Sequence, residues 1–139
     1  MQWDATENAG FTTGQPWLKV NSNYMEINVV RAMKDPDSIY HYYKKLIELR
    51  KKHKVIVYGE YKLLLPLHEE IYAYTRTLEN EQLLVILNFF GQEPVFEMPD
   101  GLEPEGMELL ISNFEPKKGE DLTRLKLRPY EARVYLKRL

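Results

Sequence analysis

Two carboxylates, Asp4 and Glu7, stand three residues apart beside Trp3 near the start of the chain. Acid–base cleavage of a glycosidic bond uses two such groups, about 5–5.5 Å apart for retention and wider for inversion. An indole beside them offers a face on which a sugar ring can stack. A pair this close on one loop does not readily flank a scissile bond, so both read as loop carboxylates that cap backbone or face water. The three histidines, His41, His53 and His68, lack metal-ligand spacing, and His68-Glu69-Glu70 is not an HExxH motif. His53 reads as the residue that closes a helix. No G-x-S-x-G elbow, Walker loop or G-x-G-x-x-G run occurs. Gly10 and Gly14, with Thr12 and Thr13 between them, read as a flexible turn rather than a phosphate cradle. The residues by themselves therefore offer no catalytic set, no metal site and no cofactor site.

The elements that would position these groups fall into three zones. Residues 1–36 are loop-like, with glycines, Pro16 and the aromatics Trp3, Phe11 and Trp17. A structureless opening this long is usually functional or disordered, and the aromatics argue against disorder. One short helical turn is expected through Val29, Val30, Ala32 and Met33, capped by Asn28 and stopped at Asp35-Pro36. Residues 35–54 carry apolar positions at Ile39, Tyr42, Tyr43, Leu46, Ile47 and Leu49. That spacing predicts an amphipathic helix, with Asp37 or Ser38 as its cap and a basic end suited to the helix dipole.

Residues 55–139 change period. VIVYGEYKLLL, EEIYAYTRTL, QLLVILNFF, PVFEMP, MELLIS, TRLKL and EARVYLKRL are short and rich in β-branched and aromatic residues, with turn residues between them. Seven strands at this spacing predict a mainly β fold, an antiparallel β-sandwich or barrel-like unit. LLVILNF is apolar on both faces and belongs at the centre of a sheet. The organisation expected is a loop and helix over 1–53 and an all-β domain over 54–139.

Composition narrows the function. At 139 residues, 44% apolar and 29% charged, the chain can bury a core without staples. A net charge of −2 gives no electrostatic footprint for nucleic acid or an anionic membrane, so KKLIELRKKHK reads as a solvated helix end. No apolar run approaches the length of a membrane span, and the first residues lack a signal-peptide layout. The absence of cysteine fits a cytoplasmic location. The ten tyrosines fit either a sugar-stacking platform or half-buried strand positions.

MQWD followed by NAGFT, PWLKVNSNY and EINV resembles the α-glucosidase clan of the α-amylase superfamily, glycoside hydrolase family 13. The nearest branch in resemblance is that of the oligo-1,6-glucosidases, with trehalose-6-phosphate hydrolases and sucrose isomerases beside it. DSIYHYYKKLIELRKKHKVIVYGEY resembles the last helix of the catalytic (β/α)8 barrel and its passage into the C-terminal β domain. TRTLENEQLLVILNFF and LRPYEARVYL resemble strands of that domain. The resemblance implies that Met1 is an internal residue of the family pattern and that residues 1–53 are the last loop and helix of a barrel. It also implies that the catalytic aspartate and glutamate, the sugar-holding aspartate and the metal-binding loop match nothing in this sequence. Gln2, Trp3 and Asp4 carry over only as residues lining or bracing the substrate-pocket loop. The expected partners are the missing barrel, an oligosaccharide bound through the parent enzyme, and a second copy joined through the helix face. A stand-alone carbohydrate-binding module is the alternative that the residues leave open.

Overall fold

Asn28 starts the first regular element, as its type suggests. In a computed structural model describing residues 1–139, its side-chain oxygen accepts the Arg31 N–H at 3.0 Å, and helix α1 runs from Val29 to Lys34. The chain divides into two units, Met1–Lys51 and Lys52–Leu139.

The first unit holds two single-turn 3-10 segments, Glu7–Gly10 and Ser22–Met25, then α1 and α2 (Ile39–Lys52), whose final residue is at the boundary. Helix α2 begins at Ile39, the first apolar position of the predicted spacing. Asp35 is extended, as a residue before proline tends to be, and its oxygens accept the N–H groups of Asp37 and Ser38. The Ser38 hydroxyl does not cap α2 but donates to the Ala32 carbonyl at 2.6 Å, closing the last turn of α1. Helix α2 buries none of its residues completely, and Ile39 is 86% exposed.

The second unit opens with a correction to the sequence reading. Val55–Tyr58, rich in β-branched residues, forms a helical turn, α3, rather than the start of a strand. Tertiary bonds decide this: Arg76 donates to the carbonyls of Val55 (3.3 Å), which also accepts the Gly59 N–H, and of Val57 (3.2 Å) and Gly59 (2.8 Å). Gly59 permits the close approach, since a Cβ there would sit 2.5 Å from the Val55 carbonyl oxygen.

Seven strands follow: β1 (Glu60–Leu64), β2 (Ile71–Leu78), β3 (Glu81–Asn88), β4 (Val95–Glu97), β5 (Glu108–Ser112), β6 (Arg124–Lys126) and β7 (Ala132–Arg138). Five form an antiparallel sheet in the order β1-β2-β3-β7-β5, and β4 pairs with β6 in a second, two-stranded sheet. Strand β3 is central, as its two apolar faces predict, and Leu83, Leu84, Val85 and Ile86 are all buried. The sandwich core lies between the sheets. Phe96 from β4, Leu125 from β6 and Leu127 just beyond it pack with Ile71, Ala73, Leu84, Ile86 and Tyr135 of the larger sheet.

One buried polar network crosses this unit. Arg133 and Glu131 are almost wholly buried, and the Arg133 Nε donates to Glu131 at 2.8 Å. The rest of the Arg133 guanidinium holds Glu120 and the Tyr135 hydroxyl, while Arg128 donates backbone and side-chain bonds to Glu131. Burial pushes the Glu131 carboxyl up, but the hydrogen bonds from Arg128 and Arg133 outweigh it and leave the carboxyl below its ordinary value.

Candidate functional site

The segment Met1–Asn21 is built around the N-terminus of α1. A helix leaves its first N–H groups without intrahelical partners. Here the Val29 N–H donates to the Gln2 carbonyl at 2.9 Å, and the Val30 N–H donates to the Trp3 carbonyl at 3.0 Å. With Asn28 taking the Arg31 N–H, the first three amides of α1 are all satisfied. The backbone of Gln2 and Trp3 thus caps the helix, a role that their residue types do not announce.

Each side chain of the trio then does something different. The Gln2 amide donates to Asn23 Oδ1 (3.1 Å) and to the Ile27 carbonyl (2.5 Å), tying the opening residues to the segment ahead of α1. It also lines a cleft of about 300 Å³ with Asn8, Phe11, Trp17 and Lys19. Trp17 is 91% exposed at that cleft. Trp3 and Asp4 do not line it, so the three residues are adjacent in the chain without converging on one cavity. Trp3 presents about half its surface to solvent.

Asp4 braces the loop. Its Oδ1 accepts the Thr6 N–H at 2.8 Å and the Thr6 hydroxyl at 2.5 Å. These bonds hold the carboxyl below its ordinary value, the side-chain bond contributing most. The loop needs this bracing because Asn8, Ala9 and Gly10 are left-handed in succession, with φ of 55°, 58° and 66°. The Ala9 carbonyl accepts the N–H groups of Trp3 and Asp4, and the Asn8 amide donates to the carbonyls of Thr12 and Gly14. A carboxylate committed to Thr6 in this way is a structural acceptor, not a poised nucleophile. Glu7 begins the left-handed turn.

The histidines also have structural partners. His41 Nε2 donates to the Met33 carbonyl at 3.0 Å, and His68 Nδ1 accepts the N–H groups of Glu70 and Ile71. His53 does not simply close α2, because the helix stops at Lys52 and the His53 ring is buried in the second unit. Its Nδ1 lies 3.6 Å from Glu81, and its Nε2 has no partner. Nothing in the local sequence signals that contact, since the two residues are far apart in the chain.

In the second unit, tyrosines gather on the larger sheet. Tyr61 and Tyr72 share a hydroxyl–hydroxyl bond of 2.9 Å, and Tyr74 packs on both, with rings tilted 42° against Tyr61 and 49° against Tyr72. The bond to Tyr72 and partial burial push the Tyr61 hydroxyl up to about 12. These rings form a tilted cluster rather than a flat row.

Comparison with known proteins agrees with this anatomy. A family model described as the α-amylase catalytic domain matches residues 1–59, and one described as the α-amylase SusG C-terminal domain matches residues 71–134. An oligo-1,6-glucosidase of Parageobacillus thermoglucosidasius is 58% identical over all 139 residues, which make up 25% of that protein. A trehalose-6-phosphate hydrolase of Bacillus subtilis is 46% identical over 97% of the chain and 24% of its own length. The crystal structure of the trehalose-6-phosphate hydrolase of Bacillus licheniformis superposes with a TM-score of 0.88 at 47% identity, over 97% of this chain and 24% of that one. The chain spans about a quarter of the length of the curated relatives it matches. With residues 1–59 matching the α-amylase catalytic domain and residues 71–134 the α-amylase C-terminal domain, the chain belongs to the α-amylase family and resembles the oligo-1,6-glucosidases.

Proposed function

We propose that this chain serves as the C-terminal part of a cytoplasmic, retaining α-glucosidase that hydrolyses α-glucosidic bonds of short oligosaccharides. Its own role is to brace the catalytic barrel, not to cut the bond. The observation that carries this reading is the state of α2. Ile39, Tyr43 and Ile47 line an open groove along the helix, a stripe suited to packing on a hydrophobic neighbour. The catalytic-domain match over residues 1–59 supports the rest of such a domain as that neighbour. The loop carboxylate that best resembled a catalytic group, Asp4, is bonded to Thr6, which supports a bracing role for the opening segment. A double displacement needs a nucleophile and an acid/base about 5–5.5 Å apart. The family resemblance implies that the catalytic pair matches no residues of this sequence.

The test is hydrolysis of p-nitrophenyl α-glucoside. The purified chain should release p-nitrophenol at the buffer rate. A hybrid joining the first three-quarters of the Parageobacillus oligo-1,6-glucosidase to this chain should turn over. Turnover by the isolated chain, or a soluble hybrid without activity, would refute the reading.

A further inference from the structure

Five aspartates occur in the chain, and the fold treats them differently. Asp4, Asp35 and Asp121 each commit a carboxylate oxygen to the N–H two residues on, at 2.8, 3.0 and 2.9 Å. Asp37 leaves its carboxylate free, but the N–H that follows it, on Ser38, donates to the Asp35 carbonyl at 3.1 Å. Asp100 alone combines a carboxylate without a hydrogen-bond partner and a following N–H, on Gly101, that donates to no protein group. These two residues form the corner of a turn between β4 and β5. The Leu102 N–H donates to the Pro99 carbonyl at 3.2 Å, which puts Asp100 and Gly101 at the central positions. Gly101 is left-handed at φ +87°, as the third residue of a type II turn must be. Both residues are exposed, and a Cβ on Gly101 would meet no atom within 4 Å. Nothing around the turn blocks the rotation that brings the glycine nitrogen onto the aspartate carboxyl.

We propose that Asp100-Gly101 is a modification site, where aspartate isomerises spontaneously and loosens the β unit. The Gly101 nitrogen attacks Cγ of the Asp100 carboxylic acid. An N–Cγ bond forms, the bond from Cγ to its hydroxyl breaks, and the amide proton leaves with that hydroxyl as water. The product is a five-membered succinimide. Water then opens the ring. Attack at Cγ restores aspartate, whereas attack at the main-chain carbonyl gives isoaspartate, whose backbone runs through Cβ and Cγ. The sequence consumes no oxidant or cofactor and leaves the mass unchanged. The added methylene has a structural consequence because both flanks of the turn are anchored. Met98 and Leu102 pack against the sandwich core, and the Met98 N–H donates to the Thr123 carbonyl at 2.8 Å. Lengthening the backbone between these anchors unseats Leu102 from a close-packed neighbourhood. This chemistry does not depend on the bracing role.

The test ages the 139-residue chain for weeks at mildly acidic pH, both folded and unfolded in urea. Trypsin cleavage after Arg76 and Lys117 releases a peptide, 77–117, in which Asp100 is the only aspartate. From the folded chain, an isomer of this peptide with unchanged mass and shifted retention should accumulate several-fold faster than isomers at Asp4, Asp37 or Asp121. Electron-transfer fragmentation places the isoaspartate within the peptide. Unfolding should speed the reaction at Asp37 several-fold, because it frees the Ser38 N–H, and should leave Asp100 nearly unchanged. Asp100→Ala should yield no isomer of unchanged mass. The isomerised fraction, separated by hydrophobic-interaction chromatography, should melt at least about 2 °C below the fresh chain. A folded-state rate at Asp100 no higher than at the other aspartates would overturn the proposal, as would a large acceleration there on unfolding. Equal melting of the isomerised and fresh chains would overturn the link from this turn to the core.

Discussion

Asp4 and Gly10 are locked together. A Cβ built on Gly10 would stand 2.7 Å from each carboxylate oxygen of Asp4, and Gly10 is itself left-handed at φ +66°. The glycine therefore admits both the turn and the carboxylate that braces it. Gly10→Ala must strain the backbone and push Asp4 off Thr6. A loss of about 1–3 kcal/mol is expected for the first unit. Urea unfolding followed by Trp3 fluorescence, in a Trp17→Phe background, measures it. An unchanged midpoint would mean that the loop does not depend on this contact.

The α1 start gives a graded prediction. Asn28→Ala removes the acceptor for the Arg31 N–H and the donor to the Tyr24 carbonyl at 2.9 Å, and should cost about 1–2 kcal/mol. Asn28→Asp keeps the acceptor and loses the donor, so it should recover most of that loss. Hydrogen exchange at the Arg31 amide is the readout, with fast exchange in the alanine variant alone.

Acid should loosen the β unit through the two carboxylates bonded to Arg133. Glu131 and Glu120 both titrate below their ordinary value of 4.5, Glu131 because hydrogen bonds from Arg128 and Arg133 outweigh its burial, Glu120 because of its bond to Arg133. A carboxylate depressed in the folded state stabilises it fully above the unfolded value and loses that contribution as pH falls through the folded one. Urea midpoints should therefore be flat above about pH 5 and decline below about pH 4.5. Arg133→Met leaves Glu131 with a poorer partner set in a dry site and should cost about 3–5 kcal/mol at neutral pH. A variant as stable as the parent chain would show that the network contributes specificity without net stability.

The exposed stripe of α2 predicts self-association of the chain in isolation. Ile39, Tyr43 and Ile47 should pair with a second copy at high concentration, and Ile47→Lys should abolish the pairing. Light scattering over a concentration series is the measurement. A monomer at every concentration for the unsubstituted chain would contradict it.

Much of the fold was legible because it rests on short-range physics. The Asn28 cap, the i, i+3, i+4 spacing in α2, the alternation in IYAYTR and the doubly apolar LLVILNF each report on a few neighbouring residues. Where local and distant forces conflict, the sequence reading failed. VIVY has strand propensity, yet the Arg76 guanidinium, 17 to 21 residues away, holds it as a helical turn.

By itself, the sequence determined the kind of protein this is: a loop, an amphipathic helix and a seven-stranded antiparallel unit, with motifs specific enough to mark the family. The roles of individual site residues were decided by tertiary structure. That Gln2 and Trp3 cap α1 through their carbonyls depends on contacts 27 residues away. The burial of His53 against Glu81 and the gathering of Tyr61, Tyr72 and Tyr74 likewise depend on which strands pair and in what register. Backbone hydrogen bonds carry no residue identity, and strand register is set by the whole sheet, so neither kind of contact leaves a local trace in the order of amino acids.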